Sequence, residues 1–201
     1  MENTDVKSNV DGLELYSDNY PFRLPLKIKN FENESEFKKF IRNCEKLVRG
    51  SLEYKLWKEY IIVVLGINQC MITEESMNEC TVEVHHHMPS LFILIKAIVG
   101  KKLAKQEEFS SFDIAMEAMN LHYTNKVGYA VLVKAIHERF HNGVLQIPID
   151  IVKGDYKYFI NNYSEFLDDD DIDVLKQRTS VHNDESYKWS KDNYPGIAME
   201  G

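Results

Sequence analysis

The sequence predicts an α+β protein that is mostly helical, with two short strands set among the helices. Apolar residues recur at steps of three and four through most of the chain from Glu34 onward, the spacing of helices with one buried face. Two runs break that rhythm: CTVEVHH, from Cys80, and YAVLV, from Tyr129, have the Val and Thr content of strands. At 201 residues and 44% apolar content, the chain suits one domain, or one domain with appendages, and can bury a core.

Residues 1–33 are polar, with Pro21 and Pro25, and read as an irregular arm with room for one short strand around LPLKIKNF. Phe37, Phe40, Ile41, Cys44, Leu47 and Val48 define an amphipathic helix from Glu34, capped by Asn33 or Ser35 and ending near Gly50. A second helix is expected through YKLWKEYIIVVL, stopping at Gly66. The CTVEVHH strand follows and is closed by Pro89. SLFILIKAIVGKKLAK then reads as a buried helix, or a helix pair broken at Gly100. In SSFDIAMEAMNLHY, Ser110 or Ser111 supplies the cap, and Phe112, Ala115, Met116 and Met119 form the expected apolar face. The YAVLV strand leads into KAIHERFHNG, a helix with Asn142-Gly143 as its stop. GVLQIPIDIV is too interrupted by proline for a central strand, and DYKYFINNYSEFL is a short helix leading into an acidic tail. Three regions result: an arm and helix over 1–50, a core over 51–145 with a helical insertion at 90–124, and a C-terminal extension over 146–201.

The net charge of -8 argues against a surface that binds polyanions throughout. Beyond Asp150 there are eleven acidic residues against six lysines and arginines, and LDDDDID reads as a solvated or partner-facing run. Lys96, Lys101, Lys102 and Lys105 could form a local basic face, and Lys126, Lys134 and Arg139 lie near the later histidines. Cys44, Cys70 and Cys80 lack C-x-x-C spacing and read as free thiols. No apolar run approaches the ~20 residues of a membrane span, and the start lacks a signal-peptide pattern, so a cytoplasmic location is expected.

Histidine carries the candidate chemistry. His137 and His141, four apart, project from one helix face with Cβ atoms about 5–6 Å apart, a spacing that suits two imidazoles on one metal ion. In CTVEVHHHMPS, strand alternation sends His85 and His87 to one face and His86 to the other. One histidine could therefore bind metal while its neighbour acts as a base.

Glu83-Val84-His85-His86-His87-Met88-Pro89 resembles the strand motif of the HNH endonucleases, the ββα-metal or His-Me finger group. Leu132 to His137, followed by His141, resembles that family's second strand and helix, with Val133 and Ile136 where two zinc-knuckle cysteines would stand. Cys70-Met71-Ile72-Thr73 looks like half of the upstream knuckle without its second cysteine, which implies a member lacking structural zinc. The resemblance implies a ββα-metal finger carrying a helical insertion. By position, His85, His137 and His141 would hold one divalent ion (Mg, Mn, Zn or Ni), and His86 would be the general base. The family's middle asparagine orients that base and normally lies nine residues before the first helix histidine. Gly128 stands there, and Asn125 is the nearest substitute.

Two functions follow as expectations. The first is metal-dependent endonucleolytic hydrolysis of DNA, with Lys126, Lys134 and Arg139 meeting the substrate backbone. The second is a non-catalytic interaction or regulatory protein on a degenerate finger, with a protein partner at the acidic C-terminal region. His87 reads as a packed or surface residue, and His122 and His182 as structural.

Overall fold

The computed structural model describes Phe31, residues 33–78 and residues 80–182; the expected strand around LPLKIKNF lies outside them except for its last residue. The chain is mostly helical with one two-stranded antiparallel sheet, an α+β fold. Helix α1 (Glu34–Gly50) starts where Asn33 accepts the Glu36 N–H, and buries Ile41, Cys44 and Val48. Ser51 caps α2 (Leu52–Glu59), which passes into a π-helical turn, Tyr60–Val64, before Gly66 ends the run at φ +67°.

Strand β1 (Val82–Met88) pairs with β2 (Gly128–Val133), from Val82 opposite Val133 to His86 opposite Tyr129. Met88 then lies opposite Gly128, so His87 is an extra residue in a bulge. Between the strands come α3 (Leu91–Ala104) and α4 (Ser111–Tyr123), which pack against α1 and each other. Ser110 and Asp113 cap α4 reciprocally. Helix α5 (Lys134–His141) leaves β2 without a loop and lies against both strands, giving a β-β-α unit with two helices inserted between its strands.

Helix α3 runs unbroken through Gly100. A Cβ there would lie 2.6 Å from the Phe166 carbonyl oxygen, so this glycine admits a neighbouring backbone. Helix α4 turns differently from expectation. It buries Ile114, Ala115, Ala118, Met119, Leu121 and His122, while Phe112 and Met116 are half exposed.

The acidic run is also part of the fold. Asp168 caps α7 (Asp169–Ser180), and Asp169, Asp170 and Asp171 occupy its first turn, where the helix dipole favours negative charge. Lys96 of α3 sits 2.5 Å from both Asp168 and Asp171. Lys102 pairs with Glu107 and Glu117, and Lys101 lies over the Tyr163 ring, so most of the expected basic face is matched within the chain. Before α7, helix α6 (Tyr156–Tyr163) stacks Phe159 on Tyr163. The chain after Ile147 is tied back to the sheet: Tyr129 and Lys153 exchange backbone hydrogen bonds.

Candidate metal centre

Alternation along β1 divides its polar side chains between two environments. Glu83, His85 and His87 face α5, whereas His86 faces α2 and α4. On the α5 side, His137 and His141 lie one turn apart with Nε2 atoms 2.9 Å from each other. The His85 ring lies 4.8 Å from the His137 ring and 5.3 Å from that of His141, centroid to centroid. One nitrogen from each of the three lies within 4.8 Å of the others. These are the three expected ligand residues, drawn together from a strand and a helix.

The electrostatics suit neutral imidazoles. Burial, then the neighbouring His137, His87, His141 and His86, push His85 down to about 2, and burial followed by His137 lowers His141. A lone pair free of its proton is what a metal requires of histidine. His85 Nε2 is buried with no hydrogen-bond partner, an arrangement that normally costs ~1–3 kcal/mol. Orphaned nitrogen on His85 and convergent nitrogens on its neighbours fit a divalent cation with nitrogen preference. Glu83 Oε2 lies 2.7 Å from His137 Nδ1, and His137 Nε2 faces His141. The cluster opens to solvent on the His141 side, while Phe140 closes the other, 4.7 Å from the His85 ring and 5.4 Å from that of His87.

His86 is placed elsewhere. Its Nδ1–H donates to the Pro89 carbonyl at 2.5 Å, and its Nε2 meets His122 Nε2 at 2.8 Å. His122 in turn donates from Nδ1 to the Ala118 carbonyl at 2.6 Å. Trp57 packs edge-on against His122, with Tyr54 beside it, and both histidines are buried. Two lone pairs thus face each other across the pair, and one shared proton would make an N–H···N bond. Burial opposes that extra charge, holding His86 well below its ordinary value and His122 down to about 4. Truncating His122→Ala is expected to cost about 2–3 kcal/mol through the cavity left beside Trp57 and Tyr54. Urea unfolding at neutral pH checks it, and a loss below 0.5 kcal/mol would contradict this account of the pair.

Nor does Asn125 serve His86. It adopts φ +56° as α4 ends, its N–H bonded to the His122 carbonyl and its carbonyl accepting from Asp155 N–H. The His86 Nδ1–H is taken by the Pro89 carbonyl and Nε2 faces His122 in the core, so the expected base and its orienting amide are not assembled at the metal cluster. Among the expected substrate contacts, Lys134 pairs loosely with Glu138 on exposed α5, Arg139 lies on the same helix, and Lys126 covers the Tyr158 ring. Cys70 is buried, its Sγ accepting from the Thr73 N–H, and the Met71 N–H donates to the β2 carbonyl of Val131. That turn packs on the sheet.

Sequence reading assigned no role to Glu83 or to the His86–His122 pair. Glu83 stands two residues before His85, so alternation alone placed it on the ligand face.

Fold and site together define a helical protein built around a β-β-α unit with a candidate three-histidine centre. A protein-family model described as bacteriophage G278-like virion protein matches residues 2–194. The chain belongs to that family. No curated protein and no solved structure matches it. Among the described residues, no helix is long and apolar enough to cross a membrane.

Proposed function

We propose that this virion protein binds one divalent ion through His85, His137 and His141 and uses it to hydrolyse DNA phosphodiesters, in the manner of the HNH endonucleases it resembles. The carrying observation is the convergence of those three histidines on a site open to solvent at His141. Three protein ligands with an open side is the pattern of catalytic metal sites, whereas structural ones close with four. A bound cation would stabilise charge on the scissile phosphate. His85 fixes the strand side of the site, and His137 and His141 present paired nitrogens from α5. Lys134 and Arg139 put positive charge on the same helix. Because His86 is turned into the core, the attacking water's proton leaves to solvent on the His141 side, and turnover is expected to be slow.

A second reading has its own support. Burial of His86 and the glycine at position 128 favour a non-catalytic finger whose metal holds an assembly surface in the phage particle. The family's description as a virion protein agrees with either reading.

Nicking of supercoiled plasmid with Mg, Mn, Zn or Ni separates them. The wild type is expected to cleave, and His137→Ala to lose at least about 100-fold. Metal binding by the wild type without cleavage under any of the four ions would sink the nuclease reading and leave the second.

A further inference from the structure

Resting on the metal-centre reading above, we propose that Glu83 is a positioning residue that sets the metal affinity of this site by holding His137 in its ligating tautomer. Glu83 and His85 are two apart on β1, so one strand face delivers both the buried ligand and a carboxylate to α5. The carboxylate lies 2.7 Å from His137 Nδ1. A carboxylate accepts only, so its proximity favours the proton on Nδ1 and leaves the lone pair on Nε2, which faces His141 Nε2 at 2.9 Å. His137 is only partly buried, and without this contact its ring could turn over or carry its proton on the other nitrogen. Either change removes the ligating atom. Such outer partners typically contribute about 10–100-fold in metal affinity.

Glu83 acts on the ligand and is not one itself. Its near oxygen is committed to Nδ1, the ring nitrogen on the far side from the cluster. The side chain is also partly exposed, at 39%, so replacing it should leave the fold intact.

The test is titration of the full chain with Co(II) and Zn(II) against a chromophoric chelator, alongside urea unfolding of the metal-free proteins. Glu83→Ala is expected to weaken both metals about 10–100-fold while leaving the Co(II) ligand-field spectrum and the metal-free stability unchanged. Glu83→Gln keeps an acceptor oxygen and should recover part of the loss. If the wild type binds neither metal, the metal-centre reading itself fails. A wild type that binds, with Glu83→Ala equally tight, overturns this inference alone. A changed Co(II) spectrum in Glu83→Ala would make Glu83 a direct ligand, which also overturns it.

Discussion

Gly128→Asn, the substitution that would place an asparagine where the HNH endonucleases carry theirs, is expected to destabilise the protein by about 4 kcal/mol or more and to bring no gain in cleavage. A Cβ at position 128 would lie 2.7 Å from the Met88 carbonyl oxygen, 2.9 Å from the Met88 Cβ and 3.0 Å from the Tyr156 Cβ. Two of these belong to the paired strand and the third to α6, so no flexible side-chain tip can swing aside. Overpacking a tight site usually costs about 1–3 kcal/mol, and burying an unpartnered amide adds a similar amount. Gly128→Ala should show the steric part alone, at about 2–3 kcal/mol. Gly50→Ala is the control, since nothing lies within 4 Å of its Cβ position, and it should be within 0.5 kcal/mol of wild type. Urea unfolding measures all three. A Gly128→Asn protein of wild-type stability would refute the packing argument, and a stable one that nicks DNA faster would favour His86 as the base, as in the HNH endonucleases.

The same glycine shows what could be read from the sequence and what could not. The β1–β2–α5 order was legible because Val-rich runs and an i, i+4 histidine pair are local signals, and local signals survive into the fold. Strand alternation correctly sent His86 away from His85. It could not reveal that α2 and α4 cover the other face with Trp57 and His122, because that depends on contacts between segments far apart in sequence. Helix α4 was legible as a helix but not in its rotation. It carries apolar residues on more than one side, and periodicity alone cannot choose Ile114, Ala118 and Leu121 over Phe112 and Met116. Helix α7 was missed although its signal was present. An Asp cap followed by three Asp in the first turn is a helix start, but charge density made the run look like a solvated tail.

Acid should begin to destabilise the metal-free protein well above the range where carboxylates titrate. Burial and then the Arg178 guanidinium push His87 down to about 3, against a weak pull from the Ile147 backbone, and neither ring nitrogen completes a hydrogen bond. His85 is pushed down to about 2. Both rings are at most 5% exposed, so solvent screens these effects little. With folded values depressed below an unfolded value near ~6.5, the native state excludes protons that the unfolded chain accepts. Their contribution is therefore fully present above pH ~6.5 and drains away as pH falls toward the folded values, at up to about 1.4 kcal/mol per pH unit for each group. By pH ~4.5 the two together remove about 5 kcal/mol, the scale of a small domain's entire stability. His86 and His122 are depressed as well and act in the same direction. Urea midpoints in EDTA should be flat from pH 8 to 7, fall steeply below pH ~6.5, and reach zero before pH 4. His87→Leu removes one titrating group and two orphaned nitrogens from an apolar site beside Phe140, so its slope should be shallower by about 1.4 kcal/mol per pH unit. Midpoints unchanged between pH 7.5 and 5 would mean that these imidazoles reach water in the folded protein, and would undo the burial on which the placement of His85 depends.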